Sequence, residues 1–132
     1  MTDFKTTIYQ TLDDSQLQEI APLYKDIFEL QNDISTPELI KTMIGYVGQP
    51  NSYWGLVRNH DNLLIGFISF RINDHAHELF FNNLGVRQGY RQRGIASELL
   101  DNVKLKAEGR TIRFQILPNK SHLVLPKEGI YI

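Results

Sequence analysis

Three arginines crowd one short stretch, Arg87, Arg91 and Arg93 in "VRQGYRQRG", Val86 to Gly94. Gln88, Gln92, Gly89 and Gly94 fill the gaps between them. The apolar run "ELFFNNLGV" comes just before, and from Gly94 onward Ile95, Ala96, Leu99, Leu100 and Val103 recur at helical spacing. A strand therefore feeds a loop that feeds a helix N-terminus. The first turn of a helix holds N–H groups without intrahelical acceptors, and the dipole concentrates partial positive charge there. A glycine at that turn has no Cβ to keep an anion off the backbone. Cations at a helix N-terminus oppose the dipole, so the arrangement is mildly unfavourable until an anion arrives. The chemistry it suits is the cradling of a phosphate or diphosphate. Solvated surface arginines around a turn glycine are the competing reading of the same residues.

Two familiar phosphate motifs do not fit. The dinucleotide fingerprint needs G-x-G-x-x-G after a first strand, with an acid about 20 residues on, and a P-loop needs Gly-Lys-Ser/Thr. Neither pattern occurs in this chain.

The elements that must position the loop can be read in order. "FKTTIYQTL" is rich in β-branched and aromatic residues and reads as a first strand. Ser15 to Gln18 fits a capping box, after which Leu17, Ile20, Ala21, Tyr24, Ile27 and Phe28 recur on one helix face. Thr36-Pro37-Glu38 reads as a second helix start, with Leu39, Ile40, Met43, Ile44 and Val47 inward and Gly48-Gln49-Pro50 as the stop. "YWGLVRNHDNLLIGFISFRI" reads as two strands around the turn Asn59–Asn62. "ELFFNNLGV" is the fourth strand, and Gly85 in it suggests a bulge or a close backbone approach. The third helix ends at Gly109, and "TIRFQIL" alternates as a fifth strand. Asn119 or Ser121 suits the cap of a short helix near Pro126, and "IYI" begins a last strand. The order β-α-α-β-β-β-α-β-α-(β) predicts an α+β or α/β sandwich: a mixed, mostly antiparallel twisted sheet flanked by helices.

Composition bounds the function. The 132 residues fit a single domain, 1–132, and 42% hydrophobic with 22% charged residues is an ordinary globular balance. A net charge of −1 gives no reason to expect nucleic acid or an anionic membrane as partner. Without cysteine there is no thiolate nucleophile and no Cys-based zinc site, and no metal site is expected. The N-terminus lacks an apolar signal region and no run is long enough to span a bilayer, so a cytoplasmic location is the expectation.

"VRQGYRQRGIASELL" resembles motif A of the GNAT superfamily, the Gcn5-related N-acetyltransferases. The family signature is Arg or Gln, two residues, Gly, one residue, then Gly or Ala. Arg91-Gln92-Arg93-Gly94-Ile95-Ala96 matches it in full. Val86 stands five residues ahead of Arg91 and Tyr90 immediately before it, both as in the family. "LLIGFISF" is similar to the family's third strand, and Asn119 to the asparagine that opens motif B. The chain stops where the family usually continues into two more strands, so the resemblance is to a short member.

The resemblance implies a GNAT-like acyl-CoA N-acyltransferase fold and acetyl-CoA as co-substrate. Amides from Gln92 through Arg93, Gly94 and Ile95 to Ala96, with the arginine side chains, Arg91 among them, would hold the pyrophosphate. Leu84, Gly85 and Val86, the bulged end of the fourth strand, would pair with the pantetheine amides, and the Val86 N–H would face the thioester carbonyl. Asn119 would bond the pantetheine arm. The acetyl group would pass directly to a primary amine of a small molecule or peptide. The family's frequent base, a Glu four residues before the motif's valine, is replaced by Asn82, which cannot titrate. Glu78 shares that strand face about 13 Å away and would act through water. His75 and His77 suit surface duty. The usual motif B tyrosine is missing, which leaves Tyr131 as the downstream candidate for the thiolate's acid. A homodimer sharing strands would cover the sheet edge. The rival reading is a non-catalytic acyl-CoA-binding or regulatory module; a nucleic-acid binder built on the arginines is weaker still.

Overall fold

In the computed structural model of the chain, the residues described are 4–28, 34–46, 51–114 and 129–131. β1 (Phe4–Tyr9) leads into α1 (Asp14–Ile27) and α2 (Thr36–Tyr46). Then come β2 (Ser52–Asn59), β3 (Leu64–Asn73), β4 (Glu78–Val86), α3 (Ile95–Ala107), β5 (Thr111–Phe114) and β6 (Gly129–Tyr131). This is the expected order. The short helix expected between β5 and β6, with Asn119 at its start, lies outside the described residues.

The sheet runs β1-β2-β3-β4-β5, the first three contacts antiparallel and β4–β5 parallel. β5 pairs with Glu78–Phe81, the first half of β4. β6 also runs parallel to β4, against Asn83–Gly85 in its second half. β4 is thus the centre on which two short strands meet end to end.

Alternation along the strands sends side chains into two cores. On one face Phe67, Trp54, Leu56 and Leu64 pack against Leu17, Ile20, Tyr24 and Phe28 of α1 and its C-terminal end, and against Leu39 and Met43 of α2. Phe67 is fully buried between the rings of Tyr24, Phe28 and Trp54, at centroid distances of 5.5, 6.4 and 6.0 Å. On the other face Ile65, Ile68, Phe70, Leu79, Phe81, Leu84 and Val86 receive Ile95, Leu99, Val103 and Ala107 of α3. The result is a sheet with α1 and α2 on one side and α3 on the other.

Two helix starts sit slightly off the expected residues. The capping box of α1 is Asp13 with Gln16, each side chain bonding the other's backbone N–H at 2.8 Å, rather than Ser15 with Gln18. α2 is capped by Ser35, whose Oγ accepts from the Glu38 N–H at 3.3 Å, one residue ahead of Thr36. In both cases neighbouring residues one or two positions apart carry a capping oxygen.

Candidate active site

The site is assembled where β4 ends. Arg87 is still in register with β3: its N–H donates to the Ile65 carbonyl at 2.7 Å and its Nε to the Leu64 carbonyl at 3.0 Å. Alternation then turns the N–H groups of Val86 and Leu84 to the opposite edge of β4, away from β3. Arg91 folds back so that Nε donates to the Val86 carbonyl at 3.0 Å. Both arginines are therefore anchored through Nε, and their terminal nitrogens have no partner among the described residues.

The loop between them is held in unusual backbone geometry. Tyr90 N–H closes a turn on the Arg87 carbonyl at 3.0 Å, and Asn59 Nδ2 donates to the Tyr90 hydroxyl at 3.2 Å. The Arg93 guanidinium lies 5.3 Å from the centroid of the Tyr90 ring. Gln92 has φ +64° and Gly94 φ +82°, two left-handed residues around Arg93. For Gln92 that costs on the order of 1 kcal/mol, and the alternation turns successive amides toward one side as an anion nest. Glu98 is the first residue of α3 whose N–H finds a carbonyl, that of Gly94 at 3.0 Å. The amides of Ile95, Ala96 and Ser97 stand ahead of it without a helical acceptor. A Cβ added at Gly94 would meet nothing within 4 Å, so this glycine serves the positive φ and leaves open space over the amides. Gln92, Arg93 and Gly94 are exposed, while the buried Ile95 pins the start of α3 to the core. The residues present thus fit an anionic diphosphate: amides and cations converge on open space at a helix N-terminus.

The bulge lies elsewhere than at Leu84–Val86. Ser69 opposes Asn83 and Phe70 opposes Phe81, so Asn82 is the extra residue in β4. Gly85 instead serves a close approach: a Cβ there would sit 2.9 Å from Ile27 Cδ1 and 2.9 Å from Phe67 Cζ. Next to the bulge, Asn83 is 8% exposed and its Nδ2 donates to Ser69 Oγ at 3.2 Å. Its Oδ1 is buried with no hydrogen-bond partner, a cost of about 1–3 kcal/mol that core packing alone would not retain.

The expected catalytic groups are placed as follows. Glu78 forms an ion pair with Arg113 of β5. His75 and His77 are exposed in the β3–β4 turn. Tyr131 lies on β6 with its backbone paired opposite Gly85. The leading groups around the loop that the sequence did not suggest are Arg58 and Glu19. Arg58 binds the Glu19 carboxylate in bidentate fashion at 2.6 and 2.7 Å, tying β2 to α1. That hydrogen bonding, with the nearby Arg58 and Arg87 charges, holds the Glu19 carboxyl below its ordinary range, against the opposing effect of partial burial. The pair joins residues 39 apart in sequence, and no local pattern announces it.

A strand thus ends in an arginine-rich loop that leads into the N-terminus of the helix crossing the sheet. The chain belongs to the GNAT acetyltransferase family: the family's sequence profile matches residues 17–121. No curated protein sequence matches it. Among solved structures, an aminoglycoside acetyltransferase from an uncultured soil metagenomic sample superposes with TM-score 0.67 at 17% identity, over 91% of this chain and 81% of that one. AAC(6')-Iy in complex with a CoA bisubstrate analogue gives 0.64 at 18% identity, over 89% and 84%. A ribosomal-protein-alanine N-acetyltransferase from Brucella melitensis gives 0.64 at 18% identity, over 92% and 88%. Identities this low establish the shared fold. No helix among the described residues is long and apolar enough to cross a membrane.

Proposed function

We propose that this protein is an N-acetyltransferase that takes acetyl-CoA as donor and a primary amine as acceptor. The observation that carries the reading is the loop Arg87–Gly94 closing on the open N-terminus of α3 in a chain of this family. Acetyl-CoA, when bound, supplies the activated acyl group. The amides of Gln92–Ala96 and the Arg91 and Arg93 side chains bind its diphosphate. The edge of β4 at Leu84–Val86 bonds the amides of the arm as an added strand would. Because the cradle follows Val86, an arm on that edge is oriented back along β4 toward the bulge at Asn82. Val86, nearest the cradle, meets the first part of the arm, and the acyl carbonyl at its far end accepts from an outer-edge N–H nearer the bulge as negative charge grows there. Direct transfer to the amine needs no nucleophile from the chain, and the absence of cysteine agrees with it.

Two proton transfers fall to this chain's residues or to water. With Glu78 tied to Arg113 and Asn82 unable to titrate, no side chain on β4 serves as base, and an amine that arrives neutral suits the site. Tyr131 is the proposed proton donor to the leaving thiolate, supported by its backbone register beside Gly85. The reading also demands a movement. β6 occupies the edge of β4 at Asn83–Gly85, so β6 must yield that edge for the arm to pair there. A homodimer that shares strands belongs to the same proposal and would give a mass near twice 15.3 kDa in light scattering.

The non-catalytic reading has one observation in its favour, the absence of a free titratable group on β4. A single experiment separates the two. Calorimetric titration with acetyl-CoA is followed by thiol release against a panel of amines. Binding with amine-dependent CoA release establishes the enzyme; binding without release favours the module; no binding removes the cradle from both.

A further inference from the structure

The acceptor must reach the bulged part of β4 from one of the two sheet faces. The α3 face is closed: Leu79 and Phe81 are buried there with Val103 and Ala107. On the other face the period of two places Glu78, Phe80 and Asn82 in a row, all partly buried. Cross-strand register widens that row into a rung. Ser52 of β2 opposes Arg71 of β3, Arg71 opposes Phe80 of β4, and Phe80 opposes Arg113 of β5. The Arg71 guanidinium lies 5.1 Å from the centroid of the Phe80 ring. The Arg113 side chain is 59% exposed, while its ion-pair partner Glu78 is 14% exposed.

The charge on this platform is lopsided. It holds two guanidinium groups and one carboxylate, and that carboxylate already belongs to Arg113. Arg71 is exposed and has no acidic partner among the described residues. A polyamine or an amino sugar brings several positive charges and would need free acids here, where there are none among the described residues. An acceptor bearing one carboxylate beside its amine would meet Arg71 and Arg113, with its carbon skeleton against the Phe80 ring.

We infer that the rung Arg71–Phe80–Arg113 receives the acceptor and selects an amino-carboxylate over a polycationic amine. The inference rests on the N-acetyltransferase reading and names the substrate class of its acceptor side. The test is thiol release from acetyl-CoA with L-phenylalanine, L-methionine and L-glutamate, each beside its α-amide, and with spermidine. An α-amide's amine is less protonated at neutral pH than that of the free acid, so chemistry alone favours the amide. A preference for the acid must therefore come from the site.

We expect kcat/KM for at least one acid to exceed that of its amide by about tenfold, the worth of a single good charge-assisted pair. Arg71→Gln is expected to erase that ratio through KM while leaving the acetyl-CoA Kd unchanged, and Arg71→Lys to restore part of it. Saturation-transfer NMR of the same acid in the presence of CoA should show its signal lost in Arg71→Gln. Spermidine used better than every acid overturns the inference. So does an acid-to-amide ratio that Arg71→Gln does not alter, or no turnover of any acid by a protein that binds acetyl-CoA. Failure to bind acetyl-CoA is read separately by calorimetry, and it brings down the underlying N-acetyltransferase reading instead.

Discussion

Replacing Gly94 by Glu tests the cradle most directly. Gly94 sits at φ +82° with nothing within 4 Å of where a Cβ would be. Any L residue there costs roughly 1–2 kcal/mol of folding stability from backbone strain and meets no steric clash. Binding should suffer far more. A carboxylate about 5 Å from one phosphate charge, at an effective dielectric between about 20 and 80, opposes it by roughly 1–3 kcal/mol. That is about fivefold to over a hundredfold in Kd for each phosphate charge, and a diphosphate carries more than one. Gly94→Ala supplies the control, since it pays the same backbone strain and adds no charge. Urea unfolding should then show both variants folded and destabilised alike, while calorimetry with acetyl-CoA shows Gly94→Glu losing measurable binding. If Gly94→Glu binds acetyl-CoA as the native protein does, the amides of Gln92–Ala96 do not hold the diphosphate, and the assignment of the site is wrong.

Four other predictions bear on the surrounding structure. Glu19 has a folded pKa below its unfolded value of about 4.3, so its contribution is complete above that pH and fades as pH falls through the folded value. The stability advantage of the native chain over Glu19→Gln in urea should be largest near pH 7 and shrink below about pH 4. It should stay under about 1 kcal/mol, because Glu19 is 37% exposed; an advantage that grows in acid would contradict the pairing. Phe67→Ala should cost about 3–5 kcal/mol in chemical denaturation, since Phe67 is fully buried among three aromatic rings, and a loss below 1 kcal/mol would mean that core is misdescribed. Adding CoA should speed hydrogen exchange at residues 129–131 as β6 leaves β4, and Tyr131→Phe should lower kcat more than it weakens CoA binding. Unchanged exchange on saturation would show that the arm and β6 do not compete, and unchanged kinetics would remove Tyr131 from the mechanism.

The cradle was legible because every part of it is local. Nine residues from Val86 to Gly94 hold the end of a strand, the cations and the helix start. The helix after them announces itself by its 3.6-residue period. The cap positions of α1 and α2 were legible to within one or two residues, because neighbouring side chains each offered a capping oxygen.

The acceptor platform was not legible, although Arg71, Phe80 and Arg113 are plain in the sequence. They become neighbours only through registers set by sheet pairing, in which the single extra residue Asn82 decides which side chains of β4 face which layer. Glu78 reads as a candidate base, and only the pairing of β5 with β4 brings Arg113 beside it. The position of β6 on the edge of β4 likewise depends on a parallel pairing between segments more than 40 residues apart, for which the three residues "GIY" carry no address. The sequence by itself determined the elements, their order and the anion-binding loop, since those follow from neighbours along the chain. Tertiary structure alone decided which charges are free, where the bulge falls and what lies beside the cofactor's edge, since those follow from neighbours across the sheet.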